Sequence, residues 1–198
     1  LPATHRGDTL PRRLPPYRFA SHVVRMVVLD SLPADIRRSL HEKIAHAMSD
    51  ADIRYSDGQA EQIAQHFAAA DRPRDAALWW RRAAERAIAA SAAGEAISHL
   101  RSALTQLHDP AAPRTGTDAM TIRSLLGPQL AAAHGNASAV VLSNYLAPLR
   151  ADTGPGEIAD RALFDRLWGS LSCYLVRGEM QTASTVAAHM MRCATALA

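Results

Sequence analysis

Small residues recur at helical spacing over two consecutive segments of this chain, and this feature limits the folds open to it. The stretch WRRAAERAIAASAAGEAISHL (residues 80–100) places alanines three and four positions after Trp80 and ends with Ala96 and Leu100 on the same pattern. Residues three and four apart share a helix face, and small side chains there let two helix backbones approach closely. No segment alternates apolar and polar residues over the length of a strand, so we predict an all-α fold.

The same pattern occurs three times and resembles the tetratricopeptide (TPR) repeat, W-x2-L-G-x2-Y followed by A-x3-F on a helix pair. The matching positions are Trp80, Ala83, Ala84, Ala87, Ala96, Leu100 and Ala103, then Leu126, Gly127 and Leu130 with Val141 and Tyr145 after a short insertion, then Leu167, Ser170, Leu171, Tyr174, Gly178, Ala183, Ala187 and Met190. We therefore predict a superhelix of TPR-like α-α hairpins over residues 56–198.

Two alternatives to this interpretation stay open. A generic alanine-rich helix bundle would use small residues at the same spacing. The register is also open, because residues 60–80 fit the template in a second frame. Successive units are about 43 residues apart, so the loops are longer than in the standard repeat.

Prolines and polar residues mark the N-terminal organisation. Residues 1–16 are polar and proline-rich and are interpreted as a linker or a poorly ordered end. Residues 17–55 form a separate segment, with one helix predicted over residues 17–32 and a second beginning at Pro33. Leu1 is interpreted as an internal position of a longer polypeptide, because the first residues lack an initiator Met.

Composition argues against several classes of protein. The net charge is +3, and the basic residues are spread along the predicted helices without a dense tract, so no direct nucleic-acid partner is expected. Arg25 interrupts the most apolar stretch, and no run reaches the roughly 18 apolar residues of a membrane span. Cys173 and Cys193 lie in apolar helical context, which suits reduced thiols and a cytoplasmic location better than a disulfide framework.

The motifs of common catalytic and metal sites are missing from the sequence. His41 and His46 in HEKIAH are five residues apart, whereas a zinc-protease helix needs two histidines four apart; we interpret both as surface or interface residues. The single lysine, Lys43, follows His-Glu within a helix, so a phosphate-binding P-loop is excluded from this stretch. We therefore predict no catalytic residue, no metal ligand and no bound cofactor here, and no enzyme activity of this fragment.

The order of segments resembles a known family. Residues 17–48, residues 60–107, LLGPQL and LWGSLSCYLVRGEMQTA are similar to the C-terminal half of bacterial signalling ATPases of the STAND type. The resemblance implies that an AAA-like domain binding ATP or ADP with Mg²⁺ precedes this region, and that residues 17–55 are a winged-helix remnant; a cap of the superhelix is the alternative. It also implies an upstream nucleotide-cyclase or transcription-regulator output domain. His22 lies one place after the family's histidine and is a weak candidate for sensing the nucleotide.

These observations predict a protein-protein interaction and regulatory module of a larger signalling protein. Its partner would be a protein or peptide, or the parent's own ATPase domain, bound on the concave surface of the first helices. The residues expected to face that partner are Leu78, Arg81, Glu85, Ser124, Asp165 and Trp168. A core position is the alternative for Trp168. The alternative function is a part of a cyclase, an ATP-hydrolysing enzyme or an ATP-dependent transcriptional regulator whose active site lies upstream.

Overall fold

The computed structural model describes residues 21–50, 59–108, 117–146 and 161–197, and none of these residues lies in a strand. The helices in this part of the chain are α1 (His22–Ser31), α2 (Ala34–Ser49), α3 (Ala60–Ala69), α4 (Pro73–Ala89), α5 (Ala93–Gln106), α6 (Thr117–His134), α7 (Ala139–Leu146), α8 (Arg161–Val176) and α9 (Met180–Leu197). The all-α prediction is therefore confirmed. None of the helices described here is long and apolar enough to cross a membrane.

The chain divides into two compact bodies after Arg37. In the first body, α1 covers most of the helix predicted over residues 17–32, although its valines have modest helix propensity. Arg37 lies 4.0 Å from Asp30 in this body, an exposed ion pair that adds little stability. α2 begins at Ala34, one residue after the predicted start at Pro33. The predicted linker over residues 1–16 lies outside the described residues.

In the second body, α4 shows how the sequence produces a packed helix. Pro73 occupies the first turn, where its missing N–H costs nothing, and Asp75 places a negative charge at the positive end of the helix dipole. The buried residues follow one face of the helix, and they are Ala76, Ala77, Trp79, Trp80, Ala83, Ala84 and Ala87. The two tryptophans supply most of the apolar area, while the alanines allow the neighbouring helices to come close.

Four turns in the described part of the chain contain a residue with a left-handed backbone. These residues are Asp71 (φ 60°), Ser91 (φ 58°), Gly135 (φ 78°) and Gly178 (φ 75°). In three of the turns the next amide donates to the carbonyl five residues earlier: Arg72 to Phe67, Ala92 to Ala87 and Glu179 to Tyr174, at 3.0, 2.8 and 2.9 Å. This hydrogen bond ends a helix in the Schellman manner and reverses the chain for the next helix.

From α3 to α9 each helix packs on the next one along the chain, and α6 also packs on α8. One apolar core runs through this body from α2 to α8, and a smaller cluster joins α8 to α9. The larger core includes Ala45, Ile63, Phe67, Trp80, Ala84, Leu100, Ile122, Leu126, Leu130, Val141, Tyr145 and Cys173; the smaller one consists of Leu163, Leu167, Met190 and Cys193. Cys173 and Cys193 are free thiols.

Tyr145 of α7 belongs to this core, and its ring lies directly against two glycines. Its ring stands where a side chain at Gly127 of α6 or at Gly169 of α8 would have to be. The backbone around it is also fixed, because Arg166 donates from Nη2 to the Tyr145 carbonyl at 2.7 Å and Asn144 donates from Nδ2 to the Arg123 carbonyl at 3.0 Å. The Arg166 residue is only 1% exposed. α7 is thus tied to the helix on either side of it in sequence.

Candidate functional site

A groove between α4 and α6 forms a concave surface in the second body. Its volume is about 310 Å³, and its lining residues are Arg74, Asp75, Ala77, Leu78 and Arg81 from α4 and Asp118, Thr121 and Ile122 from α6. We call it the α4–α6 groove. Ala77 and Ile122 are buried and supply an apolar floor, whereas Leu78 keeps 40% of its surface exposed. An aliphatic side chain of a partner could therefore bury area against Leu78.

Charges of both signs surround this apolar floor. On α4, Arg74 and Arg81 lie seven residues apart, which puts them on one face of the helix with Leu78 between them. Asp75 also lines the groove, but its carboxylate accepts hydrogen bonds from Arg72 at 3.1 and 3.0 Å. Asp118 contributes the opposite charge from α6. The groove can thus orient a partner that carries a carboxylate on its α4 side.

The sequence-predicted residues of α4 lie together. Leu78 and Arg81 both line the α4–α6 groove, and Glu85 is one turn further along the same helix. The Arg81 Nε atom is 3.8 Å from Glu85 Oε1, an exposed i,i+4 pair worth at most about 1 kcal/mol. A pair this weak exchanges readily for a partner's carboxylate.

Ser124 of α6 does not line the groove. It is half-buried, and its hydroxyl donates to the Met120 carbonyl at 3.1 Å. Thr121, one turn earlier, occupies the groove wall instead. In the repeat pattern Leu126 and Gly127 match Ala83 and Ala84, so Arg123 takes the place of Trp80. Thr121 then takes the place of Leu78, and this equivalence could have identified it from the sequence.

The two predicted residues of α8 face different surroundings. Asp165 is half-buried, and its charge helps to raise the pKa of Tyr145, which is a residue of the larger core. Trp168 is 60% exposed, which rules out the alternative of a core position for its side chain. Leu175, two turns further along α8, is also exposed and lies on the same face of this helix.

Tyr145 is a strongly perturbed titratable group of the described structure. Burial first, and then the nearby Cys173 and Asp165, raise the pKa of its phenol to about 12. Burial also raises the pKa of the Cys173 thiol, against the opposing effect of Arg177. Both groups are neutral at physiological pH, so this pair has the character of a packed core and not of an activated nucleophile.

His22 is the first residue of α1 and belongs to the first body. Its role as a nucleotide sensor stays a prediction. Among the described residues no group of three or more His, Cys, Asp or Glu side chains is placed to hold a metal ion. Comparison with protein-family models, with curated proteins and with solved structures gave no match to this chain. The resemblance to STAND-type ATPases therefore stays a prediction from the residues.

Proposed function

We propose that this chain is a non-catalytic interaction and regulatory module that binds an extended protein segment in the α4–α6 groove. The observation that carries the proposal is the groove itself, with an apolar floor between a wall that bears Arg74 and Arg81 and a wall that bears Asp118. Aromatic and arginine side chains are enriched among the few residues that account for most of the binding energy at protein interfaces. An aliphatic residue next to a carboxylate is the partner chemistry that fits Leu78 and Arg81.

A TPR-like stack is the architecture we propose for the second body. The left-handed residues Ser91, Gly135 and Gly178 end the first helices of three successive helix pairs, α4–α5, α6–α7 and α8–α9. They lie 44 and then 43 residues apart, which agrees with the spacing of the small-residue pattern. Helix pairs stacked in this way present their first helices on one concave surface, where long partners bind.

In the larger protein implied by the resemblance, we propose that this module controls a STAND-type ATPase in the cytoplasm. The groove would then hold either a separate protein or a segment of the parent's own ATPase domain. ATP or ADP, with Mg²⁺, would bind only in that upstream domain. We accordingly expect the purified chain to hydrolyse no nucleotide and to form no cyclic nucleotide, which is measured with the chain alone and with Mg²⁺ present.

Selection from a displayed library of random peptides tests the groove. We expect the wild-type chain to enrich peptides that contain an aliphatic residue beside an acidic one. Leu78→Glu should weaken binding of the enriched peptides by about tenfold or more, because it replaces the exposed aliphatic side chain that the partner would contact with a carboxylate. Arg81→Glu should select against the acidic residue. Fluorescence anisotropy with labelled peptides gives the dissociation constants.

Val140→Glu is the matched control, because Val140 is an exposed valine on α7 outside the groove. It should bind the peptides as tightly as the wild type. Trp168→Ala separates the groove from a longer binding surface: a loss of affinity would extend the interface to α8. If no peptide is enriched, or if Leu78→Glu and Val140→Glu behave alike, the groove is not the binding site.

A further inference from the structure

Two histidines from different helices meet in the second body. His41 on α2 and His66 on α3 place their Nδ1 atoms 2.8 Å apart, and both rings are partly buried. The ring centroids are 5.0 Å apart, which is close to the Nδ1–Nδ1 distance plus two ring radii. The two Nδ1 atoms therefore point at each other, which is the arrangement of a shared proton. A metal ion bound by both nitrogens would need their lone pairs to converge on a third point.

A hydrogen bond between two imidazole nitrogens needs one proton between them. Either ring can donate from Nδ1 while the other accepts, and this holds when both rings are neutral or when one carries an extra proton on Nε2. When both rings are fully protonated, each Nδ1 is a donor and two N–H groups face each other. The hydrogen bond is then replaced by repulsion between two positive charges.

The surroundings of the pair disfavour protonation of the second ring. Burial lowers the pKa of His66, and the charge of His41 lowers it further. Glu42, which follows His41 on α2, accepts a hydrogen bond from Arg72 at 2.5 Å, and Arg72 also pairs with Asp75 of α4. His46, one turn along α2, packs edge-on against a phenylalanine of α3 and is the third titratable ring of this interface.

We propose that the His41–His66 pair is a proton-sensitive clasp that holds residues 38–49 of α2 against α3. Its stabilising effect is present at neutral pH, where at most one extra proton is shared. It is lost as the pH falls below the ordinary histidine range and the second ring becomes charged. Acidification would then loosen this part of α2 and expose Ala45, which is otherwise fully buried against the core.

Hydrogen exchange measured by mass spectrometry tests the clasp. We expect the amides of residues 38–49 to lose protection on the order of tenfold between about pH 7.5 and about pH 5, after correction for intrinsic exchange, for each pKa unit by which His66 is lowered. The amides of α5 should keep their protection. In His66→Gln, whose side chain does not titrate, protection of residues 38–49 should be the same at both pH values.

His99→Gln is the matched control, because His99 lies on α5 with its ring stacked on Trp80 at 5.4 Å and takes no part in the pair. It should keep the full pH response of the wild type. Equal protection of residues 38–49 at both pH values in the wild type, or an unchanged response in His66→Gln, would overturn the proposal. If His66→Gln does not fold, NMR titration of the wild-type imidazoles decides: two titration steps of the pair that both lie at or above about 6.5 contradict the clasp.

Discussion

The ring of Tyr145 occupies the space that a side chain on Gly169 would need. A Cβ atom added to Gly169 would overlap the Tyr145 ring at Cζ, and one added to Gly127 would overlap the same atom. Both approaches are far closer than any real contact of a Cβ atom. α6, α7 and α8 therefore meet where α6 and α8 each have a glycine, and the space left by the two missing side chains is filled by one aromatic ring.

Gly169→Ala and Gly127→Ala should each destabilise the protein. The added methyl group forces Tyr145 or the helix backbone to move, and overpacking of this kind costs about 1–3 kcal/mol. Urea unfolding followed by circular dichroism measures the loss. Gly94→Ala is the control, since nothing lies within 4 Å of an added Cβ there and alanine is the better helix former. A gain for Gly169→Ala as large as that for Gly94→Ala would contradict the close approach.

A double-mutant cycle shows whether the ring itself is responsible. In a Tyr145→Ala background the space is empty, so adding a methyl group at Gly169 should cost much less than it does in the wild type. We expect a coupling free energy of about 1–3 kcal/mol between the two sites. Additive effects would place the cause elsewhere in α8.

Alkaline pH should reveal the burial of Tyr145. Its pKa is about 12 in the folded protein, while an ordinary tyrosine titrates near 10, so the unfolded chain loses this proton first. The stabilising effect is complete below about pH 10 and is lost as the pH rises towards about 12. Absorbance at the tyrosinate band should show one late-titrating phenol in the folded state. That late step should be missing in Tyr145→Phe.

The all-helical fold class and the positions of the turns could be predicted from the sequence, because both depend on local patterns. Pro73 lies at the start of α4 and Gly178 in the turn after α8, where proline and glycine act through their own backbones. The contact between His41 and His66 was out of reach, because it joins two helices 25 residues apart with no periodic signal. The α4–α6 groove could be predicted in part. Its α4 residues Leu78 and Arg81 followed from the repeat register, whereas Asp118 could not be placed without the positions of the helices.

The turn at Ser91 offers a way to stabilise the protein. Ser91 has φ 58°, a conformation that glycine adopts without strain and that Gly178 adopts at the equivalent turn. Ser91→Gly should therefore raise the free energy of unfolding by about 0.5–1 kcal/mol, and Gly178→Ser should lower it by about 1 kcal/mol. Thermal unfolding of the two variants measures both changes. A shift of the same sign in both would contradict the equivalence of the turns.

Close packing on α4 predicts a strong effect of a large side chain at Ala84. This residue is fully buried, so Ala84→Trp should force the neighbouring helices apart and cost about 1–3 kcal/mol or more. Ala89 is exposed near the end of the same helix, and Ala89→Trp is the control with the same change in volume. The melting temperature of the first variant should fall while that of the second stays near the wild-type value. Equal melting temperatures would show that the α4 register is wrong.

The buried hydrogen bond from Arg166 to the Tyr145 carbonyl affects how this part of the protein unfolds locally. α7 has only eight residues, too few to form a stable helix in water, and the guanidinium that binds its last turn belongs to α8. A positive charge at that end also offsets the helix dipole. We therefore expect α7 to form only while α8 is in place, so the two helices should form and melt as one cooperative unit during local unfolding.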